Sequence, residues 1–400
     1  MARSVLSSTT KISKPTVIGV FFLLVLLVIA WSIHRIVPVW VEQQRNTLTG
    51  STPQPVSDRA RRLHQELLIA DLHGDSLLWG RDLGEASNRG HLDLSRMRRG
   101  NLAIEVFSIV SKTPHGLNIH RNTADSDDIT RLSIVQGLPP RTWFNLSARV
   151  AYHAKRLQRL AANPAHRFRL LTSRVDVSEF LQQRKKDPSL TAGLLSVEGA
   201  HALEGRIEVL DEFFNAGIRM VGLAHFFDNA VGGSAHGVKK GGLTAFGRRV
   251  IKRMEQRGMF VDLAHSSDKL IDDVLAMAQR PVVVSHTGAR GVCNNPRNLT
   301  DDQLRRIAAT GGLIGIGFWP QATCGKGVAA IVRSLRYVSK LVGINHVALG
   351  SDFDGAVPVP FDVTGLAQLT QGLLNAGFNE SEIGKIMGGN LLRFFAVYLP

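Results

Sequence analysis

The most constraining feature of the sequence is a series of eight short apolar segments, each followed by a segment with helical spacing. Most are uninterrupted Val, Ile and Leu runs, as expected for strands buried on both faces of a parallel sheet. They occupy residues 67–73, 102–109, 193–198, 218–225, 259–265, 281–286, 312–318 and 346–352. Eight strand–helix units predict an α/β fold, a (β/α)8 TIM-type barrel, with a long helical insertion between the second and third strands.

Six of the eight predicted strands end in side chains that can bind a metal ion. These side chains are His73, Asp75, Glu198, His225, His265, His286 and Asp352. The carboxyl ends of barrel strands converge on one mouth, so residues more than 270 positions apart would meet there. A single buried histidine is more often an ordinary core residue, but six strands ending alike is not explained by packing, because isolated buried charge is costly.

Four histidines and three carboxylates suit a site for two metal ions. Nitrogen and oxygen ligands without thiolates fit two Zn²⁺ per chain, with Mn²⁺ or Co²⁺ as substitutes. Two ions ~3.5–4 Å apart can share a carboxylate and a bridging hydroxide, which indicates hydrolysis. The two cysteines, Cys293 and Cys324, cannot form a four-cysteine zinc site, and we expect free thiols.

The N-terminal segment predicts a single transmembrane helix. Residues 17–33 contain no charge, and residues 36–41 extend the apolar stretch to a length that can span a bilayer. No small-residue cleavage pattern follows, which favours an uncleaved anchor over a signal peptide; a buried core helix is the other alternative. The predicted division is a basic tail at 1–16, a transmembrane anchor at 17–41, a polar linker at 42–62 and a barrel at 63–400.

The distribution of charge bears on location and partners. A slight excess of Lys and Arg before the span predicts a single-pass membrane protein with its catalytic domain on the extracytoplasmic side. Residues 141–186 contain eleven Lys or Arg and two Asp or Glu. The spacing of Arg149, Lys155, Arg156 and Arg159 predicts the outer face of a helix, either solvated or resting on anionic lipid. Nothing else in the sequence supports nucleic acid binding, so none is expected.

Several motifs together resemble the membrane dipeptidase (renal dipeptidase) family of zinc metallopeptidases, within the amidohydrolase superfamily. They are DLHGDSLLW at 71–79, SVEGAHAL at 196–203, VGLAHFFDN at 221–229, GLTAFGRRVIKRMEQRGMFVDLAHSS at 242–267, PVVVSHTGARGVCNNPRNLTDD at 281–302, HVALGSDFDG at 346–355 and GGNLLRFF at 388–395. Each motif alone is weak, whereas their order and joint presence are specific.

The resemblance implies a role for each metal ligand. His73 and Asp75 would bind one metal ion, and His265 and His286 the other. Glu198 would bridge the two ions. A sixth ligand, Asp352, would bind the first ion and also handle the proton during catalysis.

The resemblance also implies residues that act on the substrate, a dipeptide. His225 would stabilise the oxyanion without binding metal, and Arg297 would bind the C-terminal carboxylate. The pocket wall departs from the family, because Gly317-Phe318-Trp319 replaces the frequent Asn-Phe-Tyr.

These expectations describe a membrane-anchored, zinc-dependent dipeptidase that uses a metal-bridging hydroxide. One alternative is a related binuclear-metal hydrolase of another small amide, lactam or N-acyl amino acid. An alternative of another class is a catalytically inactive barrel used as a binding module. The presence of all six presumed ligands favours an enzyme. A homodimer is left open.

Overall fold

The computed structural model describes residues 14–50 and 55–400, whose strands form one parallel sheet. The strands are β1 (Ile69–Gly74), β2 (Leu102–Val110), β3 (Phe168–Leu170), β4 (Thr191–Glu198), β5 (Ile218–Gly222), β6 (Phe260–Asp262), β7 (Val283–Thr287), β8 (Leu313–Ile316) and β9 (Val347–Leu349). β1 pairs with β9 and β2 pairs with β4, so that eight strands close a barrel. β3 extends the sheet beside the first residues of β4. The predicted TIM-type barrel is confirmed.

Helices surround the barrel in the order that the sequence predicts. Within the described residues, the α-helices are α1 (Lys14–Arg45), α2 (Asp58–Glu66), α3 (Leu94–Arg99), α4 (Asp128–Val135), α5 (Arg141–Phe144), α6 (Leu146–Ala162), α7 (Arg174–Lys186), α8 (Glu208–Asn215), α9 (Ala245–Arg257), α10 (Asp268–Leu275), α11 (Asp301–Ala309), α12 (Pro320–Thr323), α13 (Val328–Val342), α14 (Leu366–Asn375), α15 (Glu380–Gly384) and α16 (Asn390–Tyr398). Helices α4 to α7 form the expected insertion between β2 and β4.

Local sequence signals fix the ends of several helices. The side chain of Thr300 accepts a hydrogen bond from the backbone N–H of Gln303, and the side chain of Gln303 accepts one from the backbone N–H of Thr300, so α11 begins with a capping box. Asn145 caps the start of α6 in the same way, by accepting from the backbone N–H of Ala148. Helix α9 ends at Gly258, whose φ of 73° is a left-handed conformation that glycine adopts without steric cost.

The barrel interior is apolar at its amino-terminal end. A buried cluster includes residues from all eight barrel strands together with Phe394 and Phe395 of α16. Both phenylalanine rings contact the ring of Phe260 at the start of β6, with centroids 4.9 Å and 5.8 Å apart. Helix α16 therefore closes this end of the barrel, which leaves polar side chains to gather at the opposite, carboxyl end.

The predicted outer face of α6 is only partly correct. Arg149 is fully buried and pairs with Asp127 at 2.9 Å. Arg156 donates to the carbonyl oxygens of Leu77 and Trp79, which precede and follow Leu78 near β1. Both arginines donate to backbone carbonyl oxygens, whereas Lys155 and Arg159 are exposed. Charge alone did not distinguish the two faces of the helix.

The expectation of two free thiols is wrong. Cys293 and Cys324 form a disulfide, with their Cα atoms 5.2 Å apart. The bond joins the loop after β7 to the end of α12. The cysteines are 31 positions apart in the sequence, and the folding of the barrel brings the two loops together.

The N-terminal helix extends further than predicted and contacts the barrel. Helix α1 ends at Arg45, four residues past the expected end of the span. Glu42 is buried and forms ion pairs with Arg81 and Arg89, at 2.6 Å and 3.3 Å. Residues 47–49 then bond to the backbone of Val359. The first residues of the expected linker are thus part of the folded domain, while residues 51–54 lie outside the described residues.

Candidate metal centre and active site

The strand ends bring all seven predicted metal-type side chains together at one mouth. His73, Asp75, Glu198, His225, His265, His286 and Asp352 are all buried. Glu198 is the last residue of β4, and His286 lies within β7. His265 and Asp352 follow their strands by three residues and have left-handed backbone conformations, with φ of 60° and 63°. Such strain in non-glycine residues is typical of functional sites, where surrounding contacts hold it in place.

A glycine makes room for two of the site histidines. Gly199, directly after Glu198, has a φ of 93°. A Cβ atom at this position would lie 2.3 Å from Cε1 of His201 and 3.2 Å from Cβ of His225. Glycine is therefore required for the chain to turn after β4 while these rings stay beside it.

Glu198 lies between two sets of ligand atoms. Its Oε1 atom is 3.1 Å from Nε2 of His265 and 3.3 Å from Nε2 of His286, whose Nε2 atoms are themselves 3.1 Å apart. On the other side, the same oxygen is 3.7 Å from Nε2 of His73. Three nitrogen atoms thus surround one carboxylate oxygen.

His73 connects this group to the remaining carboxylates. Its Nε2 atom lies 3.5 Å from Oδ1 of Asp75 and 3.9 Å from Oδ1 of Asp352. The three residues form a group that could hold a metal ion, and His73, Glu198 and His286 form a second. A third group consists of Glu198, His225 and His265. The structure therefore also places His225 close enough to Glu198 and His265 to share a metal ion with them.

Burial makes this cluster costly without a cation. It raises the pKa of Asp352 to about 7 and the pKa of Glu198 and Asp75 well above the usual range, and neighbouring carboxylates raise these values further. Burial likewise lowers the pKa of His265 and His286 far below normal, which keeps both imidazoles neutral. Neutral imidazoles and crowded carboxylates are the groups that bind divalent metal ions.

Hydrogen bonds with Ser285 orient the rings of two of these histidines toward the cluster. The hydroxyl of Ser285 donates to Oδ2 of Asp262 at 2.6 Å. Its oxygen can then accept from the Nδ1 atoms of His286 and His73, at 2.9 Å and 3.3 Å. Protonation at Nδ1 leaves the lone pair of Nε2 facing the cluster, and Nε2 of His73 has no hydrogen-bond partner among the described residues. The residues therefore fit a metal centre.

Sequence analysis missed the buried carboxylates that hold the strand ends around the cluster. Asp71 accepts from the backbone N–H of Ser351, and Asp262 accepts from the N–H of Ser285, so each holds a neighbouring strand end. The available signal was an acid two or three residues before a ligand histidine, within an otherwise apolar strand. Glu105 is another buried carboxyl that was missed, and burial raises its pKa well above the usual range.

His225 lies at the edge of the cluster of ligand-type side chains, next to Glu198. Its Nε2 atom is 3.2 Å from Oε2 of Glu198, and its Nδ1 atom is 3.4 Å from the carbonyl oxygen of Lys112. A neutral imidazole has one N–H and can donate to only one of these oxygens, and the shorter contact favours a proton on Nε2. Protonated there, the imidazole can also donate to a substrate oxygen.

Arg297 lies on another side of the cluster. Its Nη2 atom donates to the carbonyl oxygen of His286 at 2.8 Å, and its guanidinium lies 5.1 Å from the ring centroid of Trp319. Burial lowers the pKa of Arg297 to about 10, while the charges of Asp352 and Glu198 raise it. The side chain is therefore cationic at neutral pH, and Trp319, which departs from the family pattern, lies beside it and beside the ring of His286.

The disulfide lies in the loop that contains Arg297. The side chain of Asn298 donates to the carbonyl oxygens of Cys293 and Gln321, at 2.7 Å and 3.0 Å. Asn295 accepts from the backbone N–H of Arg297 at 2.9 Å. These contacts and the disulfide hold the loop, and with it the guanidinium, against the following loop.

The fold and site define a metal-dependent hydrolase of the TIM-barrel type. The chain matches the model of the membrane dipeptidase family (peptidase family M19) over residues 57–397, and it belongs to this family. It is thus a metallo-dipeptidase.

Curated relatives include an uncharacterized bacterial protein and a mouse dipeptidase. The chain is 34% identical over 253 residues to an uncharacterized protein in the pqqA 5′ region of Klebsiella pneumoniae, covering 59% of this chain and 91% of that protein. It is 30% identical over 226 residues to dipeptidase 3 of Mus musculus, covering 51% of this chain and 44% of that protein. The second match therefore spans less than half of the mouse protein.

Solved structures share the fold. Dipeptidase AC, a metallopeptidase of family M19, superposes with a TM-score of 0.66 and 25% identity, covering 83% of this chain and 99% of that one. The probable dipeptidase PvdM of Pseudomonas aeruginosa gives a TM-score of 0.71 at 20% identity, covering 84% and 97%.

Proposed function

We propose that the protein is a membrane-anchored dipeptidase with two Zn²⁺ per chain, for which Mn²⁺ or Co²⁺ can substitute. The observation that supports this most directly is the position of Glu198 Oε1, within 3.1–3.7 Å of the Nε2 atoms of three histidines. His73, Asp75 and Asp352 would hold one ion, and His265 and His286 the other. Glu198 would contact both. When bound, the ions supply Lewis acidity and a water of lowered pKa.

The protein side chains perform the remaining steps. Arg297 binds the C-terminal carboxylate of the dipeptide through its planar guanidinium. Attack of water on the peptide carbonyl gives an oxyanion, to which Nε2 of His225 donates a hydrogen bond. Asp352 takes the proton of the attacking water and transfers it to the leaving amine as the C–N bond breaks. The products are two amino acids.

Metal analysis combined with a substrate panel tests this proposal. Chelation should abolish hydrolysis of dipeptides, and Zn²⁺ should restore it. Purified active protein with one metal ion per chain or fewer would contradict the two-ion centre. The panel includes dipeptides with D-residues, N-acyl amino acids and lactams. A preference for N-acyl amino acids or lactams over dipeptides would favour the alternative amide hydrolase. Absence of hydrolysis of every compound by zinc-loaded protein would favour the binding module.

His225 is the residue whose proposed role most needs a direct test, since it also lies within ligand distance. His225→Ala should lower kcat by about 10²–10³-fold if the imidazole acts as an oxyanion donor. The metal content should stay at two ions per chain. Loss of one ion in this variant would make His225 a ligand instead.

The sequence and the contacts of α1 support the membrane anchor, and the disulfide supports the side of the membrane on which the catalytic domain lies. Residues Phe21–Arg45 of α1 have a mean hydropathy of 2.2 over the most apolar window, and the helix could span a membrane or act as a signal sequence. The buried contacts of Glu42 and Asn46 with the barrel favour an anchor that is retained. A disulfide is typical of oxidising compartments, which favours an extracytoplasmic catalytic domain.

Two measurements test location and assembly. A protease added to intact cells should digest the barrel, whereas protection of the barrel would reverse the proposed orientation. Light scattering of the detergent-solubilised chain tests for the homodimer.

A further inference from the structure

A cavity of about 360 Å³ opens over the metal cluster, and the N-terminal helix forms part of its wall. Asp75, Glu198 and His225 line the cavity on the side of the cluster. Val37 and Val41 of α1 line it as well. The volume is in the range of small-molecule sites, roughly 300–1,000 Å³. A helix that the sequence predicts as an anchor thus reaches the space in which a substrate must bind.

Specific contacts fix the position of this part of α1. Glu42, next to Val41, pairs with the buried Arg81, which also pairs with Asp354 in the loop after β9. Nδ1 of His34, one turn before Val37, contacts the carbonyl oxygen of Val135 in α4 at 2.8 Å. The valines are therefore held against the cavity from both sides along the helix.

The wall that α1 completes is apolar. Val41 packs against a buried cluster of Leu78, Trp79, Val110 and Ile129, and all of these residues also line the cavity. A substrate group that enters this part of the cavity gains free energy by removing apolar surface from water. Burying a charged or polar group there would cost free energy, because the wall offers aliphatic and aromatic side chains.

Arginines at the cavity do not favour an anionic substrate group. Arg131 is held 3.5 Å from the carboxylate of Asp128, and Arg45 has an exposed side chain. Exposed guanidinium groups keep their hydration and contribute little to binding. The apolar wall therefore decides which substrate group this space accepts.

The position of Arg297 indicates which end of a dipeptide faces the helix. The cavity lining includes His225 and the carboxylates of Asp75 and Glu198, but not Arg297. With the C-terminal carboxylate on Arg297 and the peptide carbonyl at the cluster, the N-terminal residue extends toward α1. We infer that Val37 and Val41 form part of the pocket for the side chain of the N-terminal residue and select a large apolar side chain there. This inference rests on the proposed dipeptidase function.

Isosteric substitutions on the full-length protein in detergent test the inference. A double variant carries both Val37→Thr and Val41→Thr. In this variant, hydroxyl groups replace methyl groups in the cavity wall at nearly constant side-chain volume. The ratio of kcat/KM for Leu-Ala to kcat/KM for Gly-Ala should fall by about tenfold, since small changes in an apolar pocket alter discrimination by ~10–200-fold. The ratio for Ala-Leu to Ala-Gly should stay constant. Val37 is exposed and Val41 is half-buried, so the fold should tolerate the change.

A filling substitution and a matched control complete the experiment. Val41→Phe should reduce hydrolysis of Leu-Ala more than hydrolysis of Gly-Ala, because the larger ring occupies the space for a side chain. Val28→Thr makes the same chemical change on an exposed position of α1 and should leave all ratios unchanged. Metal content is measured for every variant.

Different outcomes overturn different statements. If the wild type hydrolyses dipeptides and the valine variants keep its Leu-Ala to Gly-Ala ratio, the inference is wrong and the proposed function stands. If the change affects Ala-Leu instead, the helix faces the C-terminal residue and the assignment is reversed. If zinc-loaded wild type hydrolyses no dipeptide, both the proposed function and the inference fall.

Discussion

Replacing Arg297 with lysine tests how the site recognises a substrate. Arg297 is buried. Among the described residues, its side chain makes one hydrogen bond, which Nη2 donates to the carbonyl oxygen of His286. The other N–H groups of the guanidinium remain available for a carboxylate. Lysine keeps the positive charge beside Asp352 and Glu198, so the variant removes the geometry of the guanidinium and preserves its charge.

The size of the effect follows from this difference. Losing one partner of a buried charge pair costs ~2–5 kcal/mol. An ammonium still attracts the carboxylate but cannot form two parallel hydrogen bonds, so the loss for Arg297→Lys should lie near the lower limit. A loss of ~2 kcal/mol corresponds to a decrease of about 30-fold in kcat/KM, since ~1.4 kcal/mol is a factor of ten.

A cycle of two proteins and two substrates isolates the interaction. The wild type and Arg297→Lys are each assayed on a free dipeptide and on the same dipeptide with an amidated C-terminus. The amide cannot pair with the guanidinium, so the substitution should lower its kcat/KM far less than that of the free dipeptide. The difference between the two effects is the coupling energy of arginine and carboxylate. Metal content should be the same in both proteins.

Two results would refute this reasoning. Equal losses on the free and amidated substrates would show that Arg297 supports the site without binding the carboxylate. A wild type that hydrolyses both substrates equally well would show that no free carboxylate is recognised, and would favour the alternative amide hydrolase.

Other predictions concern the metal centre, the disulfide and the N-terminal helix. Glu198→Gln should remove at least one metal ion per chain and lower activity by about 10²-fold or more, and elemental analysis showing two ions would contradict the bridging role. Replacing Cys293 and Cys324 with serine should lower the free energy of unfolding by about 2–4 kcal/mol in urea titrations, a difference that reduction of the wild type should erase. Glu42→Gln should lower it by about 1–3 kcal/mol, because Arg81 loses one of its two carboxylates, and an unchanged urea midpoint would show that the contact is not stabilising.

The barrel and its metal cluster were predictable because both follow from short-range patterns. Continuous apolar runs identify strands buried on both faces, and the barrel topology places their carboxyl ends together. His73 and Asp352 are 279 positions apart, yet each could be assigned to the mouth from its place at the end of its own strand. No knowledge of the contacts between them was needed.

The contacts that the sequence did not reveal depend on how distant segments pack. Cys293 and Cys324 meet because two loops at the barrel mouth are adjacent, and nothing in their spacing indicates it. His236 lies in a glycine-rich loop, yet it is fully buried, with its ring 4.9 Å from Phe226 and 5.2 Å from His265. In each case the local sequence is typical of a surface loop, and the tertiary fold overrides it.

The N-terminal helix shows the same limit with a larger consequence. Glu42 follows an apolar segment, where a charged residue usually marks the membrane boundary, and the sequence therefore predicted a linker from residue 42 onward. In the structure Glu42 shares Arg81 with Asp354, which lies two residues after Asp352. A buried charge that loses its partner destabilises its surroundings, so the position of the helix and the loop of Asp352 are energetically linked. Helix α1 is thus joined to the loop of Asp352 by buried ion pairs as well as by the chain, and we expect its removal to alter the site.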